Sequence, residues 1–291
     1  MRDFVIATDS DTEIPYTFAE AHGIPVFLMP YTVDGQEKLF DLGKNTDFGA
    51  FYQQLADGTD AATSTRPPKD IEDFFRDIVK DGKDVLQLSF SSQLSAHYSY
   101  CEMARSTVLE EFPDARIELV DTLRISMGAG LLVMEAQKMK EQGKSLDEIK
   151  DWVVANINRA HAWFSVDDLN FLKKGGRVSG AAAMIGTILG VKPILKLNSE
   201  GKIVAADKVK GSKNVHKFFR DTVEKYIEQP EDQTIYVLHA GDMKNAEKVA
   251  ALIKGSIKCK DIAIQDIGPV IGCHTGPGAL AVIFMGKEMS A

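Results

Sequence analysis

Three short apolar runs, Phe4–Ala7, Asp84–Phe90 and Ile117–Val120, each end in hydroxyl- or carboxylate-bearing residues, and segments with helical spacing separate them. The runs end in Thr8-Asp9-Ser10, Ser91-Ser92 and Asp121-Thr122. Between them, Ile71, Phe74, Phe75 and Ile78 recur at helical spacing, and a long helix is expected from about Leu94 to Glu111. Strands that alternate with helices build a parallel, doubly wound sheet. In such sheets ligands bind beyond the carboxyl ends of the strands, where these polar residues collect. The loop Ala62-Thr-Ser-Thr-Arg-Pro-Pro68 precedes a helix and can join them through Thr63, Ser64 and Thr65.

The remaining elements follow the same cues. Ile24–Tyr31 reads as one strand, Asp34-Gly35 as a turn and residues 45–56 as a helix. Two helices, near 125–141 and 145–159, break at Gly143. The second half differs in pattern. Residues 161–166 read as a strand, 169–174 as a short helix and 181–189 as a helix of small and apolar residues. Val191–Leu197 and Lys202–Lys210 form a hairpin pattern across Asn198–Gly201. Helices near 213–228 and 243–254 alternate with strands near 234–239 and 261–267, and Cys273–Gly278 reads as a glycine-rich turn. The expectation is an α/β chain in two domains. Residues 1–160 form the mainly parallel domain, and residues 161–291 form an α/β domain with a mixed or antiparallel sheet.

Charge and composition narrow the function. The chain has 291 residues, 44% hydrophobic and 26% charged, with net charge −8, so a whole-chain basic footprint for nucleic acid is absent. Residues 173–217 nevertheless hold ten Lys or Arg against Glu200 and Asp207, a net +8. That window is either a solvated face or a docking surface for an anionic partner. Cys101, Cys259 and Cys273 are too scattered for a disulfide framework or a zinc site, and no two of the six histidines form a short metal-binding pair. Neither a dinucleotide fingerprint nor a phosphate-binding loop is present, so no nucleotide cofactor is expected. The first residues read as a strand, not a signal peptide. Lys192 ends the longest nearly apolar run, Ala181–Val191, well short of the roughly 20 residues a membrane span needs. The expectation is a soluble cytoplasmic protein.

The hydroxyl-rich strand ends have two readings. Ser and Thr cap helices by accepting free backbone N–H groups. The same hydroxyls, with helix N-terminal N–H groups, can cradle a carboxylate or phosphate. An enzyme is the alternative, with Ser92 as nucleophile and His274 as base in a hydrolytic or kinase-like site. No nucleophile-elbow motif surrounds Ser92, which weighs against it. The stripe Met184, Ile185, Ile188 and Leu189 suits either core packing or the lining of an acyl-chain tunnel.

Taken in order, these motifs resemble the DegV family over nearly the whole chain. The stretches are Thr8-Asp9-Ser10, Thr63-Ser64, Ser91-Ser-Gln-Leu-Ser-Ala-His-Tyr98, Val120-Asp-Thr122, Asp168–Arg177, Lys192-Pro-Ile-Leu195 and His274–Ala279. The resemblance implies a two-domain fold that buries a long-chain fatty acid. It implies that Thr63, Ser64 and Ser92 hold the carboxylate, and His274 is added from its place in the motif. It also implies a carrier without a catalytic residue or cofactor, serving a separate fatty acid kinase subunit. Lys173, Lys174 and Arg177 are the expected docking residues for that subunit. No membrane span is expected, and transient membrane contact is compatible with the role. Two departures flank the head-group motifs. Thr65-Arg66-Pro67-Pro68 stands where the family usually has Gln-Pro-Ser-Pro, and Ala96-His97 where it has Gly-Thr. Energetics agree with a lipid carrier, since roughly 14 methylenes of a C16 chain at about 0.8 kcal/mol each supply on the order of 11 kcal/mol before costs.

Overall fold

The computed structural model describes residues 3–177 and 190–289. Its strands are β1 (Phe4–Asp9), β2 (Val26–Phe27), β3 (Pro30–Val33), β4 (Gln36–Leu39), β5 (Ala61–Thr63), β6 (Asp84–Ser89) and β7 (Ile117–Asp121) in the first half. The second half adds β8 (Ala160–Ser165), β9 (Val191–Leu197), β10 (Ile203–Lys210), β11 (Thr234–His239), β12 (Asp261–Asp266) and β13 (Leu280–Met285). The helices are α1 (Tyr16–Ala21), α2 (Phe48–Ala56), α3 (Pro68–Lys80), α4 (His97–Glu111), α5 (Met127–Glu141) and α6 (Leu146–Asn156), then α7 (Leu169–Lys174), α8 (Ser212–Tyr226), α9 (Met243–Ser256) and α10 (Pro269–Thr275).

The parallel sheet runs β2-β1-β6-β7, and the six-stranded mixed sheet runs β10-β9-β8-β13-β11-β12. β1 and β6 are buried from their second residue onward, as expected for central parallel strands covered on both faces. α3 shows why the intervening segments are helical. Pro68 stands at its start, where a missing N–H costs nothing, and Ile71, Phe75 and Val79 bury one face at i, i+4 and i+8. α6 begins with a reciprocal capping box between Ser145 and Glu148.

The segment read as a single strand, Ile24–Tyr31, is two strands in two sheets. β2 pairs with β1, whereas β3 leaves to form a three-stranded antiparallel sheet, β4-β3-β5. The break has local causes. Ser10 Oγ accepts the Met29 N–H at 2.9 Å, and Pro30 has no N–H to extend the parallel ladder. The Asp34-Gly35 turn joins β3 to β4 with both residues at positive φ, 52° and 69°, the geometry a tight hairpin requires. β5 falls in the stretch read as a loop, and it carries Thr63. His274, read as part of a turn, lies in the last turn of α10, which Gly276 ends at φ 71°.

The two large sheets are locked together. α5 touches β1 and β6 of the parallel sheet and β8 and β13 of the mixed one. That contact needs Gly130, because a Cβ there would lie 2.5 Å from the Thr12 carbonyl oxygen. Arg124 is fully buried and donates to the carbonyls of Ile157 (3.0 Å) and Leu197 (3.3 Å) and to Asn158 Oδ1 (2.7 Å). It thus ties the end of β7 to the end of β9. Arg124→Met strips three buried acceptors of their donor, so unfolding free energy should fall by about 3 kcal/mol, read from the urea midpoint at constant slope.

Candidate functional site

A cavity of about 130 Å³ lies where the strand-end loops of the parallel sheet meet the mixed sheet. Ala162 and Phe164 of β8 and Ala281 and Ile283 of β13 face it, alternate residues of adjacent strands sharing one face. Met29, Phe90 and Ile125 contribute from the other half, and Val270 and Ile271 from α10. The polar lining consists of Thr63, Ser64, Thr65, Ser95, Arg177 and His274, all at least partly exposed, together with the buried Asp11, Ser126 and Thr275.

Thr63 and His274 are 211 positions apart in the chain, and their Oγ1 and Nε2 atoms are 2.8 Å apart. Burial, with Arg177 nearby, pushes the His274 pKa down to about 4, so the ring is neutral at pH 7. Its Nδ1 is buried with no hydrogen-bond partner among the described residues. Only glycine fits at residue 175, since a Cβ there would lie 2.0 Å from that nitrogen.

Arg177, read as a docking residue, lines the cavity and is partly buried. Its Nε donates to the Leu94 carbonyl at 3.0 Å, and its Nη1 donates to the Gly175 carbonyl. Two backbone carbonyls therefore hold the guanidinium against the wall. Lys174 pairs with Asp60, and Lys173 is exposed. Ser64 lines the cavity, with its Oγ 3.4 Å from Glu37 Oε2. Ser92 does not line it. Asp121 accepts the Ser92 N–H at 3.2 Å on the outer side of the turn, and Ser95 lines the wall instead. No Ser92–His274 pair forms, because the His274 Nε2 faces Thr63. Met184, Ile185, Ile188 and Leu189 lie outside the described residues.

The two departures from the family pattern are linked through one ring. The Arg66 guanidinium sits 4.6 Å from the centroid of Phe27, and His97 stacks between Phe27 (5.4 Å) and Phe90 (5.7 Å). His97 is buried and its pKa is pushed down to about 4, so it acts as a flat neutral ring beneath the cavity wall.

Sequence reasoning placed Asp9 at a ligand-facing strand end but missed Asp11 and Glu13, which with it form a set of buried acids. Thr8 to Glu13 are all buried, a polar run at a strand end that could have signalled them. Glu13 accepts the Gly268 N–H and the Ser126 hydroxyl, and burial raises its pKa to about 7. Asp9 is likewise raised to about 7 by burial, although it accepts N–H groups from Phe90 and Asp11 at 3.2 Å. Ser126 adopts φ 56° and ψ −153°, a strained conformation held by its contact with Glu13 and its N–H bond to the Asp11 carbonyl at 3.0 Å.

Residues 3–287 match the family model described as "Uncharacterised protein, DegV family". The chain belongs to the DegV family. A DegV domain-containing protein of Clostridium perfringens is 40% identical over 286 residues, covering 98% of each chain. One from Streptococcus pyogenes serotype M1 is 36% identical, covering 98% of this chain and 99% of the relative. Among solved structures, a Thermus thermophilus DegV protein described for its fatty acid binding superposes with TM-score 0.87 at 27% identity, covering 99% of this chain and all of the other. The fatty acid binding DegV protein of Streptococcus agalactiae gives 0.84 at 28% identity, with the same coverage. These DegV structures share the parallel and mixed sheets seen here. Among the described residues, no helix is long and apolar enough to cross a membrane.

The buried acids make stability depend on pH. Glu13 takes up its proton near pH 7 when folded and near 4.5 when unfolded, so raising pH through that window removes stability. Lowered histidines such as His97 and His274 act in the opposite sense between about 4 and 6.5. Comparison with Glu13→Gln isolates the acid. Relative to that variant, wild type should lose roughly 1–3 kcal/mol between about pH 5 and pH 8 in urea titrations.

Proposed function

We propose that this protein binds a long-chain fatty acid, with the acyl chain in the cavity between the sheets and the carboxylate at Thr63, Ser95, Arg177 and His274. The observation that carries this reading is a mainly apolar cavity whose partly exposed polar lining gathers Thr63, Ser95, Arg177 and His274. The described fatty acid binding of the Thermus thermophilus and Streptococcus agalactiae relatives supports it. The Arg177 guanidinium supplies the positive charge, and the hydroxyls complete the set of donors. Apolar burial then supplies most of the affinity, and the head group is left at the accessible end.

The reading extends to a partner. The protein presents the bound carboxylate to a separate kinase subunit, which supplies ATP and forms the acyl phosphate. Support comes from the absence of a phosphate-binding loop in the sequence and from the exposed Lys173 at the end of α7, four residues from Arg177.

Mass spectrometry of organic extracts from purified protein should find a long-chain fatty acid. Protein that is empty and silent in calorimetry with such acids would defeat the proposal. Thr63→Ala and Ser95→Ala should each weaken binding about tenfold or more, whereas Ser92→Ala leaves it unchanged. Gly175→Ala should match the loss at His274→Ala, because the added methyl displaces the ring. In the presence of a cognate kinase and ATP, Lys173→Glu should slow acyl phosphate formation at low salt and less so at high salt. Equal rates at every ionic strength would remove this face from the docking surface.

A further inference from the structure

Asp11 has no evident work in the fold. Its N–H bonds to Asp9 Oδ1 at 3.2 Å, and its carbonyl accepts the Ser126 N–H at 3.0 Å, so its backbone is satisfied without its side chain. The residue is 3% exposed, it lines the cavity, and its Oδ1 is buried with no hydrogen-bond partner among the described residues. A buried polar atom left unpaired costs stability, and an apolar residue would fill the position without that cost. An apolar acyl chain laid past this carboxyl would seal it further from water.

α10 lines the same cavity as Asp11. Glu13, two residues on, is bonded to the Gly268 N–H at the start of that helix. His274 sits in its last turn, and six residues of helix rise separate the two by roughly 9 Å. Val270 and Ile271 line the wall between. Asp11 is buried in the cavity wall, whereas Thr63, Ser95, Arg177 and His274 are partly exposed.

We propose that Asp11 is a second polar subsite that receives a hydroxyl or keto oxygen carried part-way along the bound acyl chain. The inference rests on the fatty acid reading above and names the ligand class within it. Burial and the neighbouring Asp9 and Glu13 raise the Asp11 pKa well above the ordinary carboxylate range, which favours the protonated form that can donate. A carboxylic acid both donates and accepts, which matches a hydroxyl in either sense and a keto oxygen as acceptor.

Calorimetry with hexadecanoic acid and a positional series of monohydroxyhexadecanoic acids tests this on wild type, Asp11→Leu and Asp11→Asn. In wild type, a hydroxyl at one interior position should be tolerated or preferred over hexadecanoic acid, and hydroxyls elsewhere disfavoured. In Asp11→Leu the affinity ratio at that position should shift about tenfold toward the plain acid, with hexadecanoic acid bound at least as well as before. Asp11→Asn, nearly isosteric, should retain part of the preference. Should Asp11→Leu not fold, the wild-type positional profile and Asp11→Asn still decide. A flat profile, or a ratio unchanged by substitution, overturns the subsite while leaving fatty acid binding intact. Failure of wild type to bind any acid in either series overturns both.

Discussion

The Glu13 carboxyl joins the two halves of the molecule at one buried point. One of its oxygens accepts the Gly268 N–H at the start of α10, and the other accepts the Ser126 hydroxyl at the start of α5. Gln265 donates to the Glu13 carbonyl at 2.7 Å, and Glu13 itself stands in the left-handed region at φ 54°. α10 is only seven residues long, so fixing its first turn largely fixes its last. Its far end is wedged as well, where Gly175 admits the His274 ring and Gly276 admits Phe171. The head-group residues thus inherit their geometry from a contact at the opposite end of the same helix.

That arrangement has an electrostatic consequence. Three acids beneath an anion-binding site would repel its ligand if ionised. Burial raises the pKa of Asp9 and Glu13 to about 7 and that of Asp11 well above the ordinary carboxylate range, which keeps much of that charge off the protein. His274 is neutral for the same reason with the opposite sign. Arg177 is left as the principal charge among the cavity-lining residues, and it already spends two donors on the carbonyls of Leu94 and Gly175. On the proposed reading the carboxylate is held with few full charges, so the apolar wall must carry the affinity.

How much of this was legible in the sequence depended on the range of the interaction. β1, β6 and β7 were readable because a buried parallel strand is a local apolar run with a polar end. The β9–β10 hairpin was readable from its turn residues. The division of Ile24–Tyr31 was not, because the group that interrupts the ladder, Ser10, lies 19 residues away. Thr63 and His274 were singled out by motif, but their pairing across 211 positions has no local signature. Ser95 was passed over for Ser92, since strand-end position alone does not say which hydroxyl of a five-residue turn faces inward. Arg66 and His97 read as two separate departures, yet they meet at Phe27. Arg66 and His97 both contact that ring, and the imidazole in turn stacks on Phe90 in the cavity wall.

The basic window between residues 173 and 217 shows why a charge count is not a surface. Arg177 faces the cavity, Lys174 pairs with Asp60, Lys192 with Asp167 at 2.7 Å and Lys202 with Glu200 at 2.8 Å. Lys196 lies 5.3 Å from the centroid of Trp163, its charge spent over an aromatic face. Lys208 and Lys210 are exposed on β10, the outermost strand of the mixed sheet, beside Asp207. Charges on an edge strand oppose pairing with a second sheet, a sufficient reason for their presence there. Glu200 and Asp207 are already counted in the net +8, and Asp60 and Asp167, from outside the window, offset two more of its charges, so the positive field there is smaller than +8. Of the three residues read as docking contacts, Lys173 is the one exposed without an ion pair to a described residue, so the proposed docking role falls mainly to it.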